Sequence, residues 1–329
     1  MLSCAAATPA GDRVFVSNET SGTVSVVDVA SRRVVQTIHV GKRPRGIRAT
    51  TDGRTVYVAL SGSPIGGPNV DESTLPPPDR RYDGIGVIDV ASGSLTRTLK
   101  SGTDPEQFAI SADGSRLFIA NEDAGLASVL DVATGEIIKE IEVGGEPEGV
   151  DLSPDGRLVF VTSEEDNQVV AIDTSSLSAI KAIAVGPRPR STAFTSSPPR
   201  AYVGSENGAS VDVIDLASLT VLTRIRFPVE TARPMGLASS PDGAQVFVST
   251  GRGGTVEAID TRTNTVRGSV AVGQRPWGIA VSPDGTSLFT ANGPSNDLSV
   301  VDIGTFREIA RIPVGERPWG VAYVRATSR

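Results

Sequence analysis

Apolar and polar residues alternate in short runs along this chain, and the runs recur. Val14 to Asn18, Thr23 to Asp28 and Val34 to Val40 each alternate, with turn-forming residues between them. A period of two over five to seven residues predicts strands on a half-buried sheet. The same three runs return down the chain, now preceded by a strand that opens just after a proline, as in Gly278 to Ser282 followed by Ser287 to Asn292. These prolines stand at Pro44, Pro105, Pro147, Pro189, Pro234, Pro276 and Pro318, in steps of 61, 42, 42, 45, 42 and 42 residues. An aspartate closes each third strand, at Asp28, Asp89, Asp131, Asp173, Asp215, Asp260 and Asp302. A period of about 40 to 45 residues marks propeller blades, four-stranded sheets that bury their faces only against neighbours. The pattern therefore predicts an all-β, seven-bladed β-propeller, with residues 1–329 as a single domain.

The first unit lacks its opening strand, and Gly315 to Val324 repeats the start of a unit and then stops. The expected closure places that C-terminal strand innermost in the blade whose other three strands are N-terminal, which removes exposed sheet edges. The S-P-D-G turns between first and second strands suit a tight hairpin, aspartate satisfying local backbone groups and glycine supplying positive φ. The closing aspartates read as Asx-turns on their own backbone. Two units depart from the period. The second carries an insertion at Ser61 to Tyr82 containing Pro64, Pro68 and Pro76 to Pro78, and the sixth adds three residues within Phe227 to Arg233. So much proline predicts an extended, semi-rigid flap, and both insertions fall on one face. Variable loops on a rigid scaffold mark that face as the working one.

Composition narrows the chemistry. The 329 residues carry a net charge of −7, which offers no basic field for nucleic acid. No apolar run is long enough to span a membrane, and a monomer is expected. Met1 to Ala7 lacks the basic start and apolar stretch of an export signal, and Met-Leu-Ser-Cys suits either the remnant of a trimmed leader or a plain start. Cys4 is the one cysteine, so no intrachain disulfide forms. His39, the one histidine, falls at the outer end of a fourth strand, away from any channel. A histidine general base or a histidine-rich metal site is therefore not available at the mouth. No glycine-rich stretch has phosphate-loop or dinucleotide spacing, and no cofactor or metal is expected.

Candidate site residues come from the repeat register. The residue after each motif proline begins the innermost strand at the channel mouth, and around the ring it reads Arg45, Glu106, Glu148, Arg190, Met235, Trp277, Trp319. Charged residues fill one arc and large apolar ones the other. The arginines before the prolines, Arg43, Arg188, Arg233, Arg275 and Arg317, belong to the same mouth. An aromatic wall with convergent polar groups suits a small-molecule or peptide site. Alternatively Trp277 and Trp319 plug the ring, packed on Arg275 and Arg317 by cation–π contact. Glu106, Glu122, Asp123, Glu146, Glu148, Glu164, Glu165 and Asp166 come from the loops of the third and fourth blades. They could hold a hard cation or an acid/base pair, or stand as solvated carboxylates partly paired with arginine. Glu19 beside Arg317 and Glu206 beside Arg188 read as ion pairs within one blade, weak at a surface.

The units V-G-x-R-P-x-G-I-A-x-S-P-D-G and T-V-S-V-I-D resemble the YVTN-type repeats of bacterial and archaeal seven-bladed propellers. Within that group, D-P-E-Q-F-A at Asp104 to Ala109, A-N-E-D at Ala120 to Asp123, E-P-E-G at Glu146 to Gly149, R-P-R at Arg188 to Arg190 and T-A-N-G-P-S-N-D at Thr290 to Asp297 resemble the propellers associated with pyrroloquinoline-quinone-dependent alcohol catabolism. The long flap departs from that pattern. The resemblance implies an exported, periplasmic or extracellular, non-catalytic accessory protein that binds a protein partner or small organic ligand at the loop-rich face. More distant relatives include lactonases and a lyase, so a hydrolase or lyase working through carboxylates or a bound cation is the alternative.

Overall fold

The computed structural model describes residues 11–66, 72–227 and 231–326. Within them, seven four-stranded antiparallel sheets succeed one another around a ring. Six follow chain order, as in blade 7 with Pro276–Val281 innermost, then Ser287–Asn292, Asp297–Asp302 and Arg307–Pro313. Blade 1 is composite. Pro318–Val324 pairs antiparallel with Arg13–Asn18, and Thr23–Asp28 and Arg33–His39 complete the sheet, which is the closure the orphan repeat start predicts. Tyr323 Oη donates to Asp12 Oδ2 at 2.5 Å, and the Ala326 amide to Asp12 Oδ1 at 2.7 Å, fastening the two ends of the chain.

The sequence folds this way because each blade is apolar on both faces of its middle strands. Second and third strands such as Val14–Asn18 and Thr23–Val27 are continuously buried, while fourth strands are largely exposed, some alternating as Arg33–His39 does. One aromatic of each second strand, Phe15, Tyr57, Phe118, Phe160, Tyr202, Phe247 or Phe289, packs into the core shared with the following blade. There are seven such cores among the described residues, one per blade junction, so the ring rests on contacts between blades. All seven closing aspartates accept the backbone N–H three residues on, as Asp28 does from Ser31 at 2.8 Å and Asp302 from Thr305 at 2.7 Å. They are turn residues and take no part in the mouth.

The innermost strands aim side chains at the axis. In blades 1, 3, 4, 5 and 7 the register slips just after the motif proline, as between Pro276 and Ile279 opposite Asn292 and Thr290. Such a bulge bends the strand and re-aims the residue after the proline. The glycine that follows in R-P-W-G has a steric reason. A Cβ on Gly278 would stand 2.5 Å from the Trp319 carbonyl oxygen, and one on Gly320 2.6 Å from that of Arg45. Adjacent inner strands approach backbone to backbone there. Within the flap, short 3-10 turns at Glu72–Thr74 and Arg80–Tyr82 flank the proline run. Cys4, Pro68, Asp71 and the added residues 228–230 lie outside the described residues.

Candidate functional site at the propeller mouth

The residues before the motif prolines carry an unusual backbone. Arg43, Asp104, Glu146, Arg188, Arg275 and Arg317 all have left-handed φ, between 44° and 58°. For side-chain-bearing residues that conformation costs roughly 1 kcal/mol or more each, and it is tolerated where the surroundings impose it. All six line one cavity of about 780 Å³ on the face of the long loops. Arg233 is the seventh member of the series, lacks that φ and does not line the cavity; its guanidinium donates to the carbonyls of Glu206 and Asn207, both at 3.3 Å.

The ring after the prolines divides by depth. Arg45, Glu148, Arg190 and Trp277 reach the mouth cavity. Met235 and Trp319 lie below and, with Trp277, form a separate apolar cluster over a void of about 40 Å³ on the axis. Glu106 is fully buried against Arg45. The two indoles meet edge to face at 5.8 Å between centroids. Arg275 lies over Trp277 at 5.1 Å and Arg317 over the same ring at 6.0 Å, whereas the cation on Trp319 is Arg45 at 5.7 Å. Neither indole N–H has an acceptor among the described residues.

The charged residues form two networks centred on buried carboxylates, which corrects the expectation of weak surface pairs at Glu19 and Glu206. Glu19 is 2 % exposed and takes Arg43 at 3.2 Å, Arg45 at 3.0 Å and Arg317 at 3.5 Å, thereby joining the loops of three blades. Burial alone pushes its carboxyl up, and the three guanidiniums reverse this and hold it below its ordinary value. Arg43 also contacts Asp104 at 3.4 Å. In the second network Arg190 binds Glu164 and meets Glu148 at 3.2 Å and Glu206 at 3.8 Å, while Arg188 donates to Glu164 at 2.7 Å and meets Glu206 at 3.5 Å. Complete burial, with Glu164 adding to it against the pull of Arg190, pushes the Glu148 carboxyl up to about 8. Several carboxylates share one arginine here. Asp123, Glu146, Glu165 and Asp166 are exposed.

Asp104, Glu106 and Glu122 bring carboxylate oxygens within 4.8 Å of one another. Arg43 and Arg45 are interleaved with them, so the positive charge at this point is supplied by arginine. His39 is exposed at the end of the outer strand of its blade and does not line the cavity. Pro64, Gly66, Leu75 and Pro76 to Pro78 form one side of the mouth cavity. The flap is held by an ion pair from Arg80 to Asp123, by Asp83 accepting from the amides of Gly62 at 2.7 Å and Asp104 at 3.1 Å, and by Lys42 over the Tyr82 ring at 4.1 Å.

Sequence reading missed two features. One is Arg252, which reaches the cavity from the loop of blade 6. The other closes the far end of the axis, where Arg48 of blade 2 meets Asp151 of blade 4 at 3.0 Å and Thr192 of blade 5 donates to the same carboxylate at 2.9 Å. The signal for Arg48 and Asp151 was there to read, since each stands three residues after the mouth residue of its own blade.

Among solved structures the chain is similar to a candidate 6-phosphogluconolactonase of Bacteroides fragilis NCTC 9343, with a TM-score of 0.77, 20% identity, and 97% of this chain and 99% of that one covered. It is similar to the hydrazine synthase of Kuenenia stuttgartiensis, with a TM-score of 0.71, 21% identity, and 85% and 89% covered. It is similar also to the dihydro-heme d1 dehydrogenase NirN, with a TM-score of 0.69, 16% identity, and 98% and 77% covered. At these identities the likeness shows the propeller fold alone. No curated protein matches the chain. No helix among the described residues is long and apolar enough to cross a membrane. The profile of the choice-of-anchor I domain, a propeller family, matches residues 5–194, more than half of the sequence, and the chain belongs to that family.

Proposed function

We propose that this propeller is a non-catalytic binding module that takes a small organic ligand at its mouth, and that it works as an exported accessory protein outside the cytoplasm. The observation that carries the reading is the cavity of about 780 Å³, walled by arginines, glutamates and Trp277 that converge from most of the ring. Its size and concavity are those of ligand sites, and its charged groups supply orientation. Most of its buried carboxylates are engaged by arginine, which suits binding better than proton transfer. Membership of the choice-of-anchor I family and the resemblance to propellers of quinone-dependent alcohol catabolism both support a secreted or surface setting. A lactonase-like hydrolysis is the second reading. It is favoured by Glu122 and Glu146, which line the cavity and whose carboxyls burial and neighbouring carboxylates push up, a property of general bases.

A thermal-shift survey of organic acids, amines, sugars and lactones, with and without calcium, magnesium or manganese, separates the two, because a ligand of the folded state raises the melting temperature. Compounds that stabilise the protein and are recovered unchanged support the binding module. Turnover of a lactone that disappears in Glu146→Gln overturns it in favour of the hydrolase.

A further inference from the structure

The cavity is polarised across its width. Residues that follow the second strands occupy one register around the ring: Glu19, Ser61, Glu122, Glu164, Glu206, Thr250 and Gly293. Four carry carboxylates, and arginines near them have partners. Blades 6 and 7 place Thr250 and Gly293 there, and Arg275 stands between these two blades. Arg275 accordingly makes no ion pair among the described residues, and neither does the exposed Arg252. Arg317 has one carboxylate contact, at 3.5 Å, to a Glu19 already shared with two other arginines. Burial pushes Arg275 down, with Arg252, Arg190 and Arg317 adding to it against Glu206. Trp277 completes this wall; it is 7 % exposed and its indole N–H lacks an acceptor among the described residues.

The opposite wall has the opposite excess. Glu146 makes no ion pair among the described residues and faces Glu164, Glu122 and Glu165. Glu122 has one loose contact, at 3.7 Å to Arg45. In a ring of seven, blades 3 and 4 lie across the axis from the junction of blades 6 and 7. Like charges crowd each wall in a partly dehydrated cavity, where their repulsion is screened less than at an open surface. A guest of matching polarity relieves both walls at once.

Resting on the reading of the mouth as a binding site, we infer that its ligand is a small dipolar organic molecule. An anionic oxygen group lies against Arg252, Arg275 and Arg317, and a cationic end lies toward Glu122 and Glu146. Charge-assisted hydrogen bonds at the two ends fix its direction in the pocket.

Titration calorimetry with three matched probes tests this: 4-(aminomethyl)benzoate, 4-methylbenzoate and 4-methylbenzylamine, at low and high salt. The dipolar probe is expected to bind roughly tenfold or more tighter than either singly charged one, an advantage that salt reduces. In Arg275→Gln and in Arg252→Gln, the latter at an exposed residue whose loss leaves the fold intact, its affinity falls to that of the amine. In Glu146→Gln it falls to that of the carboxylate. Equal affinity for the dipolar probe and 4-methylbenzoate overturns the inference in favour of a plain anion site, and an unchanged affinity in both arginine variants overturns it too. If none of the three binds while another compound of the thermal-shift survey does, the dipolar ligand is refuted and the binding module stands. If nothing in either set binds, both fall.

Discussion

Replacing Glu19 by glutamine keeps the volume of the side chain and removes one buried charge that three arginines share. Removing one partner of a buried ion pair destabilises by about 3–5 kcal/mol, mostly because the other charge is left uncompensated. Here Arg43 retains Asp104 at 3.4 Å, Arg45 retains Glu106, and Arg317 is about one-third exposed. The expected loss is therefore at the lower end, about 3 kcal/mol. For a chain of this length the unfolding entropy converts this to a fall of roughly 4 °C in melting temperature. Urea unfolding should show a lower midpoint at an unchanged slope. The pH dependence is the sharper readout. The folded-state carboxyl sits below its ordinary value of 4.5, so its contribution is present above that value and is lost as pH falls through the folded value. Wild type and Glu19→Gln should differ at pH 7 and converge as the solution is acidified below about 4.5. A difference under about 1 kcal/mol at pH 7, or one that persists unchanged in acid, would refute the view of Glu19 as a buried hub.

Glu148→Gln should act in the opposite direction with pH. The Glu148 carboxyl is raised to about 8, so its contribution is complete below the ordinary value and declines as pH rises toward 8; the variant should gain roughly 1–3 kcal/mol over wild type at alkaline pH and little at pH 5, read from urea midpoints. Trp319→Ala, at a residue 5 % exposed beneath the mouth, should lower stability by about 3–5 kcal/mol and leave ligand affinity within about tenfold, whereas Trp277→Ala should reduce both, as calorimetry and denaturation together will show. The flap can be excised from Ser63 to Pro78, because the Asp79 amide donates to the Gly62 carbonyl at 3.0 Å and the cut ends already meet; stability should change by less than about 1 kcal/mol in a melting experiment, and failure to fold would mean the segment is core.

Much of this was legible because a repeat reports its own register. Seven prolines and seven aspartates at a fixed period could be satisfied together only by stacked blades, and Gly315 to Val324 had no other sheet to complete than the one lacking a first strand. The position after each proline identified a ring, but not its layering. Arg45, Glu148, Arg190 and Trp277 reach the cavity, while Met235 and Trp319 sit beneath it and Glu106 is buried against Arg45, a difference that one register position cannot express. The strength of the ion pairs was misread because burial depends on neighbouring blades. Glu19 follows a strand end, ordinarily an exposed place, yet Arg43, Arg45 and Arg317 close over it. Arg252 escaped notice because it belongs to a loop register in which the other blades show no arginine.

The most direct test uses the protein's own two tryptophans. Trp277 lines the mouth, Trp319 packs on it just below, and there are no others in the chain, so tryptophan emission reports on this region alone. Titration with 4-(aminomethyl)benzoate should change that emission saturably, with the same dissociation constant that calorimetry gives, and Arg275→Gln should weaken the two signals in parallel. Heat of binding with emission that stays flat through saturation would place the ligand elsewhere on the propeller and contradict the account.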